Sequence, residues 1–196
     1  MSKRTATFNR KTNETNITIS INLDGDGESE IVTGIGFFDH MLTQIARHGL
    51  LHLSIQASGD LHIDDHHTVE DVGIALGTAI KQAVGDKKGI TRYGHSIVPM
   101  DEALVLSSLD FSGRGLFTPD LNFSTDKIGA FDTQLIVEFF QAIAANAGIT
   151  LHIRQLAGSN SHHVAEAAFK SFGRSLADAV AINPRVSGIP SSKGAL

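Results

Sequence analysis

The chain contains no cysteine and no tryptophan, and only one tyrosine. Without cysteine there is no disulfide framework and no thiolate zinc site, so any metal must be held by imidazole and carboxylate groups. No apolar run approaches the roughly 18 residues of a membrane-spanning helix, and residues 1–11 are too polar for a secretory signal. We therefore expect a soluble, cytoplasmic protein with no membrane partner.

Positive charge is also scarce, with 16 Lys and Arg residues against 21 Asp and Glu residues and a formal net charge of −5. This balance argues against a nucleic-acid partner, and an anionic substrate would need a local basic cluster. The length of 196 residues suits one large domain or two small halves. Histidine is the unusual component, with ten residues.

A short histidine motif occurs twice in the chain. His66–Glu70 reads HHTVE and His162–Glu166 reads HHVAE, with an offset of 96 residues (162 − 66). Repetition of a motif at a fixed distance indicates duplicated structural units. We infer two homologous halves, 1–92 and 93–186, followed by a C-terminal tail, 187–196, in one compact domain.

Other sequence pairs support the duplication at slightly different offsets, which insertions and deletions explain. Phe38-Asp39 precedes an apolar stretch that ends at Gly49, and Phe131-Asp132 precedes one that ends at Gly148. After these glycines come the similar strings LHL, at 51–53, and LHI, at 151–153.

Hydrophobic periodicity predicts strands, a helix, a further strand and a second helix in each half. Predicted strands cover 17–23, 51–57, 105–111 and 150–156. One helix is predicted over 37–48, with Gly49 as the residue after it, and another over 132–147. A long helix is also predicted after each histidine pair. Apolar stripes on the long helices comprise Val69, Val72, Leu76, Ala79 and Ala83 in one, and Ala165, Phe169, Phe172, Leu176 and Ala179 in the other. We predict an α+β fold in which the helices of both halves pack together between two mixed β-sheets.

Each histidine pair is predicted to lie in the first turn of its helix, after the N-cap candidates Asp64-Asp65 and Asn160-Ser161. Positions i and i+4 share a helix face, so His66 with Glu70, and His162 with Glu166, can each chelate one ion. Adjacent side chains diverge by about 100° and should serve different ions. We therefore predict two metal sites, each combining a His-Glu pair from one half with the remaining histidine of the other, and His40 is a further candidate ligand.

A single histidine is usually a structural or surface imidazole, but duplication at capped helix starts favours a metal role, since such a cluster is costly to desolvate. Nitrogen and oxygen ligands are compatible with Mn, Fe, Co, Ni or Zn, and the general affinity order does not favour Mn.

Three long motifs carry a family resemblance that covers nearly the whole chain. They are GIGFFDHM at 34–41, GDLHIDDHHTVED at 59–71 and PSSKG at 190–194. The chain resembles the imidazoleglycerol-phosphate dehydratase family of histidine biosynthesis. The resemblance implies two Mn²⁺ ions per subunit and conversion of D-erythro-imidazole-glycerol phosphate to imidazole-acetol phosphate and water. It also implies a homo-oligomer of 24 subunits, with metal sites completed between neighbouring subunits.

The resemblance also implies the metal ligands His40, His66, His67, Glu70, His162, His163 and Glu166. Glu138 departs from the family pattern, which often has a ligand histidine there. It occupies the repeat counterpart of His40, so we predict it as an oxygen ligand, although it is equally readable as a solvated helix residue. His152 is a second possibility, for which a structural role in a strand is the alternative.

Substrate-contacting positions implied by the resemblance are Glu14, Gln44, Arg92, Arg114, Lys170, Ser191 and Lys193. Glu14 is implied as the general acid/base, whereas its sequence context alone suggests a polar turn. Each basic residue taken alone reads as solvated charge, and Lys170 also fits an i, i+4 pair with Glu166. Gly115 stands where the family often has proline, which we expect to loosen the turn after Arg114.

Two other functions compete with the dehydratase. A dinuclear metallohydrolase would use the metals to activate water. A non-enzymatic assembly protein would use them only to join subunits. Product analysis separates the two enzymes, and replacement of Glu14 would have no effect on an assembly protein.

Overall fold

The computed structural model describes residues 4–196, so positions 1–3 of the predicted first half lie outside the described residues. The helices are Gly36–Gly49 (α1), His66–Val84 (α2), Gln134–Ala147 (α3) and Ser161–Val180 (α4). The strands are Thr5–Lys11 (β1), Thr15–Asn22 (β2), Ser29–Val32 (β3), His52–Gly59 (β4), Tyr93–Met100 (β5), Ala103–Asp110 (β6), Leu116–Asp120 (β7), Lys127–Ile128 (β8), Phe131–Asp132 (β9) and Thr150–Ala157 (β10).

Two four-stranded sheets share one topology. The first has the order β1-β2-β4-β3 and the second has the order β5-β6-β10-β7. In each sheet three strands are antiparallel, and the fourth, β3 or β7, pairs in parallel with β4 or β10. Both sheets are therefore mixed, as predicted.

The four helices form a layer between these sheets. α2 packs on β1 and β2 and on α3, while α4 packs on β5 and β6 and on α1. Each half thus covers its own sheet with the helix that begins with its histidine pair, α2 or α4, which we call the histidine helix. The other helix of each half, α1 or α3, packs against the other half. This confirms the predicted α+β arrangement, because each helix buries its apolar stripe within the layer.

The strand register gives the structural alignment of the two halves. The first hairpin pairs Thr5 with Asn22 and the second pairs Tyr93 with Asp110, so both strands are displaced by 88 residues. The strands that follow the first helices are displaced by 98, because Ile21 pairs with Leu53 and Leu109 pairs with Leu151.

This register corrects two of the sequence pairings. His52 corresponds to Thr150, so the strings LHL and LHI are not structural equivalents. Phe38-Asp39 lies inside α1, whereas Phe131-Asp132 forms β9 before α3 begins. The short similar strings gave a wrong alignment because structural equivalence of residues in a sheet follows from the strand register, not from local sequence identity.

The end of α1 differs from the prediction. Gly49 is its last helical residue, and the left-handed conformation falls on Leu50, with φ 52°. In α3 the corresponding residue is Gly148, with φ 67°. Gly49 is required for another reason, since a Cβ there would lie 3.0 Å from the carbonyl oxygen of Gly173 on α4.

Glycines let the paired helices approach closely. On α4, a Cβ added to Gly173 would lie 2.7 Å from the carbonyl oxygen of Ile45 in α1. On α2, a Cβ added to Gly77 would lie 2.7 Å from the carbonyl oxygen of Ile143 in α3. The two crossings are related by the duplication, because Gly77 and Gly173 are 96 residues apart, like the histidine motifs.

Phenylalanine fills the space beside these crossings. Phe139 stacks on Phe169 with ring centroids 5.3 Å apart, and Phe140 lies 4.8 Å from Phe169. These rings join α3 to α4 and so connect the two helix pairs into one core.

None of the helices within residues 4–196 has the length and apolar composition of a membrane span.

We predict that Gly173→Ala lowers the free energy of unfolding by about 1–3 kcal/mol, because the added methyl group forces α1 and α4 apart. Gly36→Ala in α1 is the matched control, since a Cβ there has no neighbour within 4 Å. Thermal denaturation followed by circular dichroism measures both. An unchanged midpoint for Gly173→Ala would show that the crossing is not tightly packed.

Candidate metal centre

The clearest cluster of metal-ligand atoms joins α1 to α4. His40, His162 and Glu166 each offer one donor atom, and these atoms lie within 4.8 Å of one another. The Nε2 atoms of His40 and His162 lie 3.3 and 3.2 Å from the same Oε2 of Glu166. The cluster thus takes the predicted His162–Glu166 pair from the second half and His40 from the first.

Glu166 is the buried member, with its side chain only 9% exposed. Burial acts to raise the pKa of its carboxyl group, but hydrogen bonds from Lys170 and His40 outweigh burial and hold that pKa at about 2. Lys170 Nζ lies 2.6 Å from Glu166 Oε1, so the i, i+4 pair considered for Lys170 is formed. A contact of Lys170 with substrate remains a prediction.

The repeat-related group lies between α2 and α3. His66 Nε2 is 4.0 Å from Glu70 Oε2, on one face of α2 as expected. Glu138 lines the same pocket as His66, with a volume of about 400 Å³. Glu138 has the position in α3 that His40 has in α1, and its role as a third ligand remains a prediction.

The second histidine of each pair, His67 or His163, is hydrogen-bonded to a carboxylate. His67 Nδ1 donates to Asp60 Oδ2 at 2.9 Å, and His163 Nδ1 donates to Glu102 Oε2 at 2.7 Å. These hydrogen bonds raise the pKa of both imidazoles, and the second lowers the pKa of Glu102 to about 2. The expectation that the remaining histidine of the other half joins each His-Glu pair is therefore not met within one chain.

The two histidine helices begin at the same end of the helical layer. Asp65, the residue before α2, and His162 of α4 line one pocket of about 520 Å³. Asn160 caps α4 as predicted, accepting hydrogen bonds from the backbone N–H groups of His162 and His163. At α2 the N-cap residue Asp65 makes no side-chain cap, and Asp64 accepts from the N–H of His66 instead.

Glu14 and Gln44 lie beside these groups. Glu14 follows β1 in a polar turn, where its N–H donates to Thr12 Oγ1, and its carboxylate lies 3.8 Å from His67 Nδ1. Gln44 Nε2 lies 3.4 Å from His40 Nδ1, one turn along α1. His152 is exposed on β10, between the inward-facing Leu151 and Ile153, and strand alternation therefore directs it away from the helical layer.

Four of the predicted substrate-contacting residues share a separate pocket of about 460 Å³. Its lining includes Arg92, Arg114, Ser191 and Lys193. Arg92 forms a salt bridge with Asp110 and donates from Nη1 to the carbonyl oxygen of Pro190 at 2.8 Å. The tail is therefore held against the body of the protein at the edge of a basic pocket.

The expectation of a loose turn after Arg114 is wrong. A Cβ added to Gly115 would lie 2.6 Å from Ala145 Cα, so glycine allows this segment to pack on the backbone of α3. Ser112 Oγ accepts from the N–H of Arg114 at 3.1 Å and fixes the turn further.

The basic pocket and the His40 cluster lie at opposite ends of α4. The N–H of Arg92 donates to the carbonyl oxygen of Ala179 near the end of that helix, whereas His162 lies in its first turn. Seventeen residues separate them (179 − 162), which is roughly 25 Å at 1.5 Å per residue. One small substrate cannot contact both regions of the same chain.

Asp60 and Glu102 are site residues that sequence reasoning missed. The signal for Glu102 was present, because it occupies the same position in the second hairpin as Glu14 in the first, 88 residues later. Asp60 lies in the loop before α2, and only the folded loop brings it to His67.

Fold and site together define a class of duplicated α+β proteins whose two histidine helices supply paired imidazole and carboxylate groups. The sequence pattern of the imidazoleglycerol-phosphate dehydratase family matches residues 33–176. Proteins named imidazoleglycerol-phosphate dehydratase from Desulforamulus reducens and Acetivibrio thermocellus are 58% and 60% identical to the chain. The first alignment covers all of both chains, and the second covers 95% of this chain and 96% of the relative.

Solved structures agree. The crystal structure of imidazoleglycerol-phosphate dehydratase from Staphylococcus aureus superposes with a TM-score of 0.81 at 42% identity, covering 91% of this chain and 99% of that one. The enzyme from Pyrococcus furiosus, in complex with (S)-C348, gives 0.84 at 39% identity, covering 96% and 99%. The chain belongs to the imidazoleglycerol-phosphate dehydratase family, which confirms the prediction of an enzyme of the lyase class.

Proposed function

We propose that the chain converts D-erythro-imidazole-glycerol phosphate to imidazole-acetol phosphate and water in the cytoplasm, with two Mn²⁺ ions per subunit. The observation that carries the metal dependence is the convergence of His40, His162 and Glu166 on one point. Family membership supports the reaction, and the donor geometry supports the cofactor.

The donor set fits a divalent transition metal. Two imidazole nitrogens and one carboxylate oxygen face each other without sulfur, a combination suited to Mn²⁺ among other ions. Glu166 supplies a buried negative charge that a cation would offset, and Lys170 already bonds its other oxygen. On α2, His66 and Glu70 supply the equivalent donors, and Glu138 is the third candidate ligand.

Dehydration removes a proton from carbon beside the imidazole ring and expels hydroxide from the adjacent carbon. When bound, Mn²⁺ supplies Lewis-acid stabilisation of the charge that develops on the ring. Glu14 is the residue we assign to proton transfer, because its carboxylate is 53% exposed and lies beside the histidine helix. Gln44, next to His40, is placed to orient the substrate.

The phosphate is assigned to Arg92, Arg114, Ser191 and Lys193, which present charge-assisted donors in one pocket. Since this pocket lies at the far end of α4 from the His40 cluster, a complete site requires the pocket of one subunit and the histidines of another. His67 and His163, whose Nδ1 atoms bond Asp60 and Glu102, are the ligands we assign to ions shared with neighbours. This requirement supports a homo-oligomer, for which the family resemblance implies 24 subunits.

A dinuclear metallohydrolase is the alternative for the same ligands. Incubation of Mn-loaded protein with imidazole-glycerol phosphate distinguishes the two, since a dehydratase gives the keto product with the phosphate ester intact. Release of inorganic phosphate instead would establish the hydrolase.

We predict about two divalent ions per chain after Mn²⁺ reconstitution, one for each i, i+4 pair. His66→Ala and His162→Ala should each lose one ion, as measured by elemental analysis of the desalted protein. His152→Ala is the control and should retain both, because His152 lies on the outer face of its sheet. Near-zero metal in the unmodified protein would overturn the proposed cofactor.

We predict that Glu14→Gln lowers turnover by roughly 100-fold or more, because glutamine cannot take or return a proton at neutral pH. Metal content and oligomer mass should be unchanged, as measured by elemental analysis and light scattering. Asp86→Asn, at an exposed position, is the control. Near-normal turnover would remove Glu14 from the mechanism, and loss of metal or assembly would make its role structural.

Mixed oligomers test whether subunits share sites. Glu14→Gln and Arg114→Ala chains should each be nearly inactive alone. If neighbours contribute the proton shuttle and the phosphate pocket, oligomers reassembled from equal amounts should recover roughly a quarter of full activity, since that fraction of sites draws both intact parts. Reassembly after chelation and Mn²⁺ addition provides the mixture. No recovery in verified mixed particles would place both residues in the site of one chain.

A further inference from the structure

The duplication places two glutamates at one structural position. Glu14 and Glu102 each come directly before the second strand of a hairpin, and the hairpins superpose with an offset of 88 residues. Each lies near the second histidine of a pair, His67 or His163. Differences between the two environments therefore show what each glutamate is free to do.

Glu102 is fixed from both sides. Its Oε2 accepts from Nδ1 of His163 at 2.7 Å, and its Oε1 accepts from the backbone N–H groups of Ser159 and Asn160 at 3.2 and 2.8 Å. A carboxylate only accepts hydrogen bonds when ionised, so His163 carries its proton on Nδ1 and keeps Nε2 available as a ligand atom. Glu102 thus orients an imidazole and anchors the start of α4.

In the first half another residue orients the imidazole. Asp60 Oδ2 accepts from Nδ1 of His67 at 2.9 Å, while Glu14 lies 3.8 Å from that atom, beyond hydrogen-bond distance. Asp60 is held in place, with its side chain 12% exposed against 53% for Glu14. The glutamate at this position is consequently in ionic contact with the histidine but not hydrogen-bonded to it.

We propose that Asp60 is a positioning residue for proton transfer: it orients His67 and, by occupying Nδ1, keeps the Glu14 carboxylate free to act on the substrate. This inference rests on the proposed function, in which Glu14 moves the proton. The second half needs no counterpart of Asp60, because Glu102 itself accepts the hydrogen bond from His163.

Loss of Asp60 would leave the Nδ1–H of His67 without its acceptor, and Glu14 is the carboxylate nearest to it. A charge-assisted hydrogen bond would then draw Glu14 and the His67 ring together, which turns the imidazole away from its present orientation. Glu14 would become the counterpart of Glu102 in geometry as well as in position, and its proton-transfer role would be lost.

Asp60→Leu and Asp60→Asn form the test pair. Leucine has a similar shape but no acceptor. Within the described residues, the other oxygen of Asp60, Oδ1, is buried without a hydrogen-bond partner, so leucine removes no second hydrogen bond. Asparagine retains an oxygen that accepts from Nδ1–H. Light scattering establishes assembly, and Asp60→Ala replaces the leucine variant if that variant does not assemble.

Two readouts are expected. Calorimetric titration of the metal-free variants with Mn²⁺ should show one ion bound roughly 10- to 100-fold more weakly in Asp60→Leu, with recovery in Asp60→Asn. At saturating Mn²⁺, the kcat of Asp60→Leu should fall about 10-fold or more while KM stays within about twofold, because the phosphate pocket is untouched.

The decisive measurement combines Asp60→Leu with Glu14→Gln. If Asp60 acts through Glu14, the double variant should turn over within about twofold of Glu14→Gln alone. Glu102→Leu is the matched control, since it removes the same hydrogen bond from His163, and its effect on turnover should multiply with that of Glu14→Gln.

Unchanged Mn²⁺ affinity and turnover in Asp60→Leu would overturn the inference, and so would losses that multiply with Glu14→Gln. Failure of asparagine to restore function would show that the charge of Asp60, not its placement of His67, is what counts, and would also overturn it. Normal turnover of Glu14→Gln would instead refute the proposed shuttle. The two failures are therefore distinguishable.

Discussion

Adjacent side chains at the start of a helix diverge by about 100°, and this constraint shapes the whole site. His162 turns toward His40 and Glu166, so His163 cannot join the same cluster and instead bonds Glu102. The same division separates His66 from His67. Each of these helices thus directs one histidine toward its own glutamate and the other toward a different carboxylate.

The close helix crossings impose the second constraint. Gly77 and Gly173 allow each histidine helix to lie directly on a helix of the other half, which brings His40 within reach of Glu166. The length of α4 then places Arg92 at the opposite end of that helix from His162. The packing that brings His40, His162 and Glu166 together therefore separates them from the basic pocket, and the proposed reaction would need a neighbouring chain to join the two regions.

Much of this architecture was predictable from sequence because it depends on local periodicity. Helical spacing correctly placed His162 with Glu166, and the repeat correctly equated His40 with Glu138. Gly49 was predicted as the residue after the helix, one position too early, because its close contact with Gly173 is a long-range packing effect. Convergence of Arg92 and Arg114 in one pocket likewise depends on the fold and followed only from family resemblance.

Two further features could not be predicted from the sequence, because loop conformation determines both. They are the small hairpin of β8 and β9 and the contact of Asp60 with His67. Duplication nevertheless makes such departures interpretable. Two halves with one topology would be expected to use Glu14 and Glu102 alike, yet only Glu102 bonds its histidine. Asp60 supplies the carboxylate that bonds His67 in the first half, where Glu14 does not. One glutamate of the pair is thereby held by hydrogen bonds at both carboxylate oxygens, whereas its equivalent is half exposed beside His67.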